Sequence, residues 1–271
     1  MRIFLLPAIC AASMLTLSAA GPVRVLILSG QNNHKWQETT PALQGALESD
    51  GRFKVTVCET PWMLTPAQLE KVDVIVSNWN AFTNPAKGVA PKVAEWSEAS
   101  RSAYIEFVRK GGGHVVVHAG SASFPDWEDY QEICLATWKL GATGHDAKHE
   151  FEVRIEEPSH PITAGLSGFK TLDELWIAPK VTPGAKVLVS SFSEKGRLGT
   201  DTWEPSVLVG EFGKGRCFTI LLGHAAGKDG QFMSNPQFIE LFRRGVEWAA
   251  IGTVSRNASP DAGHPANSGA K

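Results

Sequence analysis

Val23 to Ser29 reads VRVLILS, an apolar run broken only by Arg24. A strand with one wet face would alternate polar and apolar residues. This one does not, so it must be covered on both faces, as a central strand of a parallel sheet is. Phe53 to Cys58, Asp73 to Ser77 (DVIVS) and His114 to His118 (HVVVH) read as further strands. Helical segments lie between them. Thr40-Pro41 predicts a helix start with Pro at the first helical position, and Asp50-Gly51 breaks that helix after about Ser49. Pro91 to Lys110 predicts a long helix that offers Val93, Trp96, Ala103, Ile105, Phe107 and Val108 for burial, with Gly111-Gly112-Gly113 ending it. This alternation predicts βαβ units and an α/β fold with a doubly wound, mostly parallel sheet.

The second half predicts an antiparallel extension. Glu150 to Ile155 alternates apolar and charged residues, as an edge or antiparallel strand does. Lys186 to Ser190 and Ser206 to Phe212 follow as strands. Gly213-Lys214-Gly215 turns the chain into Arg216 to Leu222, giving a hairpin. Asn235-Pro236 caps a final helix through Trp248, and the domain spans 22–251. The tail, 252–271, holds almost no large apolar residue and is expected to be disordered.

Ligands of open α/β sheets bind outside the carboxyl ends of the strands. His34 and Trp36 follow the first strand, Asn78-Trp79-Asn80 the third, His118 ends the fourth, and His224 follows the hairpin. Each alone has a structural reading: a solvated loop His, or a buried His with both ring nitrogens satisfied. Together they bring imidazoles, amides and indoles to one rim, which favours a functional cleft. His118 and His224 are the catalytic candidates there. His34, Trp36, Asn78, Trp79 and Asn80 are expected to bind substrate, with Trp36 and Trp79 as stacking platforms, although buried Trp is the commoner case and composition alone favours core. Three neutral imidazoles, His34, His118 and His224, would hold a divalent metal such as zinc or manganese with an open position. A hydrogen-bonded histidine cluster without metal would leave the same trace in the sequence.

A second polar cluster lies mid-chain. His145 and His149, in GHDAKH, could bind a metal or substrate hydroxyls, and Asp173-Glu174 supplies carboxylates for general acid/base work if one is held in the cleft. A solvated acidic turn is the structural alternative. His160-Pro161 reads as a turn and helix start.

Composition excludes other roles. In 271 residues the net charge of -2 provides no electrostatic footprint for nucleic acid. No nucleotide cofactor is expected, because Gly111-Gly112-Gly113 precedes a strand instead of following one. Residues 1–20 carry Arg2, an apolar stretch from Ile3 to Leu17 and a small-residue site at Ser18-Ala19-Ala20, the pattern of a secretory signal. Export to the periplasm or beyond is expected, with no membrane span once the signal is removed. Cys58, Cys134 and Cys217 then remain, too far apart for a zinc knuckle and expected as free thiols.

Several blocks carry a family resemblance. GGGHVVVHAG, HEFEVRIEEPSHPITAGL followed by DELW, EPSVLVGEFGKGRCFTILLGH and RRGVEWAA stand in this order between about Val23 and Ile251. They resemble the trehalose-utilisation (ThuA-like) family, with Trp176 where its Asp-Glu-Leu-Tyr block has Tyr. The resemblance implies a flavodoxin-like, class I glutamine amidotransferase-like fold. In amidotransferases of that fold a nucleophilic Cys occupies the turn where this chain has His118, and imidazole cannot form the thioester that glutaminase chemistry needs. The resemblance further implies non-redox cleavage or rearrangement of sugars, including oxidised (3-keto) glycosides made by partner dehydrogenases. A non-catalytic sugar-binding domain on the same fold is the alternative.

Overall fold

The computed structural model describes residues 21–224 and 235–255. The expected signal at 1–20 and nearly all of the expected disordered tail lie outside the described residues. In chain order the elements are β1 (Val23–Leu28), α1 (Trp36–Glu48), β2 (Phe53–Cys58), α2 (Pro66–Leu69), β3 (Val74–Ser77), α3 (Glu98–Arg109), β4 (Gly113–Val117) and α4 (Glu128–Ile133). Two-residue strands β5 (Ala136–Thr137) and β6 (Gly144–His145) lead to β7 (His149–Ile155) and β8 (Phe169–Asp173). Two more short strands, β9 (Trp176–Ile177) and β10 (Lys180–Val181), precede β11 (Lys186–Ser193), β12 (Thr202–Phe212), β13 (Gly215–Ile220) and α5 (Pro236–Ile251).

Nine strands form one sheet in the order β2-β1-β3-β4-β13-β12-β11-β7-β8. The first five are parallel and follow the flavodoxin-like doubly wound order, with β13 in the fifth place. The rest is the antiparallel extension. Both faces of the parallel half are buried, as the run at Val23 requires. Val25 and Ile27 pack with Leu43 and Leu47 of α1 and with Phe238 and Phe242 of α5. Leu26 and Leu28 join Tyr104 and Ile105 of α3 and Ile133 of α4.

Two helix starts differ from expectation. α1 begins at Trp36, leaving Pro41 inside it. There Pro41 forgoes one helical hydrogen bond, which burial of Leu43 and Leu47 on the same helix offsets. The helix expected from Pro91 starts only after Ser97, whose hydroxyl accepts from Ser100 N at 3.2 Å as an N-cap. The segment before it is held out of helix by Gln31. The Gln31 amide donates to Val93 O at 2.9 Å and accepts from Val93 N at 2.8 Å.

Candidate functional site

Four side chains converge from four separate strand ends. His34 lies in the loop after β1, His118 opens the turn after β4, Glu174 directly follows β8, and His224 lies just beyond β13. One nitrogen or carboxylate oxygen of each lies within 4.8 Å of the others. The three imidazoles meet edge to face, with centroids 4.4 to 5.2 Å apart and planes 83° to 86° from parallel.

Glu174 reaches this point because the sheet coils. β8 is four strand spacings from β13, about 19 Å in a flat sheet. Instead the Asp173 carboxylate accepts hydrogen bonds from Gly223 N at 2.6 Å, His224 N at 3.0 Å and Glu174 N at 2.8 Å. This buried carboxylate ties the end of β8 to the end of β13 and sets both neighbouring site residues.

His118 sits at φ 41°, a left-handed conformation rare and strained for a non-glycine residue. The turn passes so close to β3 that a Cβ on Gly120 would lie 2.7 Å from Ser77 O, so that position needs glycine. His118 Nδ1 donates to Leu221 O at 2.6 Å, which leaves the lone pair on Nε2 facing the cluster. His34 Nδ1 is held the same way, 3.2 Å from Asn32 Oδ1 and 3.1 Å from Asn33 Oδ1.

His118 Nε2 lies 3.4 Å from Glu174 Oε1, and His224 Nδ1 lies 3.2 Å from Glu174 Oε2. Both nitrogens are buried, and neither is aligned for a hydrogen bond. A proton on either nitrogen would be attracted to Glu174, and without one each offers a lone pair within 4.8 Å of the ligand atoms of the other groups. Exposed His145 adds its Nδ1 at 3.1 Å from Glu174 Oε2.

Charge is distributed accordingly. Burial alone would raise the Glu174 pKa, but its contacts with His118 and His224 override burial and hold it well below the carboxylate range. His34 is lowered to about 3, first by burial and then by the neighbouring imidazoles, so it is neutral. Burial would lower His118 too, but Glu174 raises it on balance. Asp173 is raised, by burial above all.

The site residues expected from sequence fall into two sets. His34, His118, His224 and Glu174 come together, and His145 stands at their rim. The remainder are corrections. Trp79, expected as a stacking platform, is 1% exposed and packs on Trp96 and Phe124 in the core. Half-buried Trp36 begins α1 and is not among the residues lining the cavity beside the imidazoles. Asn78 donates to the Thr39 and Thr40 hydroxyls, and Asn80 bonds Ala119 O and Phe82 N, so both amides brace loops. His149 pairs with Asp173 across β7 and β8, but its ring bonds Ala147 O and packs on Phe151, and it is not one of the four converging groups. Asp173, expected as a catalytic acid or base, has its carboxylate committed to three backbone N–H groups and is a positioning residue.

Sequence reasoning missed the wall of the cavity. Phe82, Asn84, Lys87, Trp138 and Trp176 line it together with His34, His145 and Glu174. Trp138 carried one faint signal, a Trp outside any apolar run. Nothing in its spacing tied it to the rim.

A flavodoxin-like α/β domain with an imidazole–carboxylate cluster at the carboxyl rim is the class that fold and site define. The family model described as trehalose utilisation, ThuA, matches residues 24–249, and the chain belongs to that family. A ThuA-like protein from Parabacteroides merdae has a similar structure, with TM-score 0.77 and 26% identity over 89% of this chain and 94% of that one. A ThuA-like protein from Bacteroides uniformis gives 0.63 and 17% over 88% and 96%. A cold-adapted β-galactosidase from Rahnella sp. R3 shares the fold over 83% of this chain and 31% of its own length, with TM-score 0.56 and 14% identity. Among curated proteins none matches. The family points to a carbohydrate-related role.

Proposed function

We propose that the chain is an exported enzyme of sugar metabolism that cleaves or rearranges a glycoside or disaccharide, including 3-keto forms supplied by partner dehydrogenases, without a redox step of its own. Its centre is a zinc or manganese site held by His34, His118, His224 and Glu174. The observation that carries this reading is the convergence of one ligand atom from each of His34, His118, Glu174 and His224 within 4.8 Å, with His118 Nε2 and His224 Nδ1 buried and making no aligned hydrogen bond.

The residues fit a divalent ion. Ligands sharing one zinc lie about 3–4 Å apart, and small ring rotations bring atoms within 4.8 Å into that range. His34 and His118 both direct their other ring nitrogen at a fixed oxygen, which orients a metal-binding imidazole and raises its basicity. Such an ion supplies Lewis acidity toward a sugar carbonyl or hydroxyl. Glu174, ionised, completes the donor set and balances the charge. His145, exposed at the rim and 3.1 Å from Glu174, carries the proton between the sugar's leaving oxygen and solvent. Asp173 holds His224 and Glu174 in register.

The test is turnover of oxidised and unoxidised disaccharides by the purified mature protein, with metal content measured by mass spectrometry. Turnover by protein holding about one ion per chain is expected. Sugar binding without turnover under zinc or manganese supply would point instead to the non-catalytic sugar-binding domain.

A further inference from the structure

Resting on the carbohydrate reading, we infer that Phe82 and Trp138 divide the cleft into two adjoining single-ring subsites, so that the ligand is a disaccharide or simple glycoside and not a free monosaccharide or a long polymer. Two cavities adjoin here. The inner one, about 110 Å³, lies against His34, His145 and Glu174. The outer one, about 170 Å³, is lined by Thr83, Pro125, Gln131, Lys139, Leu140 and Lys180. Phe82, Ala122 and Trp138 line both. Either cavity alone falls far short of ordinary small-molecule sites, which begin near about 300 Å³, whereas the two together approach that bound.

The dividing wall suits sugar. The Trp138 ring is half-buried and braced nearly at right angles by Trp176, at 5.1 Å and 85°, and by Phe82, at 6.1 Å and 81°. A ring held this way loses little freedom when a sugar packs on it. Indole and phenyl offer apolar surface to the C–H faces of pyranoses, the role the sequence had suggested for Trp36 and Trp79. Outer hydroxyls meet the amines of Lys139 and Lys180, and Leu140, 50% exposed, extends the apolar floor. The inner subsite places one sugar beside the imidazoles. The outer subsite takes the second ring or the aglycone. At about 170 Å³ the outer cavity has room for one ring.

The experiment is equilibrium titration of the full mature protein with glucose, trehalose, cellobiose, lactose and maltotriose, for wild type, Thr83→Trp, Leu140→Asp and Trp138→Ala. Metal content is measured on each as a check of the imidazole cluster. At least one disaccharide should bind tenfold or more better than glucose, and maltotriose should bind no more than threefold better than the best disaccharide. Thr83→Trp, which fills the outer cavity, and Leu140→Asp should each bring the disaccharide down to glucose-like affinity with glucose unaffected. Trp138→Ala should weaken both. Unchanged disaccharide binding in Thr83→Trp and Leu140→Asp would overturn the tandem subsites while leaving the carbohydrate reading standing. A wild type that binds none of the five sugars and none of their 3-keto forms, titrated alongside, would overturn both.

Discussion

At the scale of single residues, the site is built from side chains whose second polar atom is already committed. His118 and Asp173 show this best. His118 gives one nitrogen to Leu221 O and accepts a left-handed backbone to aim the other. Asn tolerates that backbone and lacks the ring. His118→Asn is therefore expected to fold and to lose bound metal and at least about a hundredfold of activity, with His224→Ala behaving alike. A variant that melts early yet keeps full specific activity would show that these histidines are structural. His145 stands outside the donor set, so His145→Ala should keep its metal while kcat falls by about 10² to 10⁴. An unchanged kcat would remove the proton-transfer role. His118 and His224 were legible because each closely follows an apolar run, and His34 because it lies in the loop after one. Trp79 and Asn78 were misread because the residue just past a strand can turn inward as readily as outward, and spacing alone does not say which.

Elements were legible where burial leaves only one solution. β1, β3, β4 and β13 are largely apolar runs and β2 alternates, and these strands emerged within a residue or a few of their expected ends. β8 was missed because FKTLD has neither alternation nor an apolar run. It becomes a strand by pairing with β7, and a tertiary partner leaves no local mark. Pro91 misled for the same reason: Gln31, sixty-two residues before Val93, claims the Val93 backbone. The packing of α5 on β4 depends on Gly113, where an added Cβ would lie 2.6 Å from Ala249 O. Gly113→Ala must push the helix and sheet apart, and a loss of about 1–3 kcal/mol is expected by chemical denaturation. Since β4 carries His118, metal affinity should fall with it. A variant as stable as wild type would show that α5 shifts freely on the sheet.

On the scale of the whole molecule, ion pairs and the site tie distant parts of the chain together. Arg52, beside β2, bridges Asp50 at the end of α1 and buried Glu247 in α5. The Arg52 hydrogen bond holds Asp50 below its ordinary value of 3.8. A depressed carboxylate stabilises the fold fully above its unfolded pKa and loses that contribution as pH falls through the folded one. Asp50→Asn should thus be less stable than wild type at pH 7, and the gap should close in acid below 3.8. A gap independent of pH would assign the loss to packing. The site joins segments further apart still: His34, His118, Glu174 and His224 span most of the domain, and they come from both halves of the sheet. An ion bound there by the native state alone adds stability by mass action, about 2.7 kcal/mol at a hundred times Kd. In a domain of this size each kcal/mol moves Tm by about 2–4 °C. Zinc or manganese is therefore expected to raise Tm of the chelator-treated protein by about 5–10 °C, and His118→Asn should abolish most of that rise. If neither ion shifts Tm and the protein still turns over sugar, the imidazoles act without metal. Their crossed rings and the ionised Glu174 then form a direct proton-transfer centre.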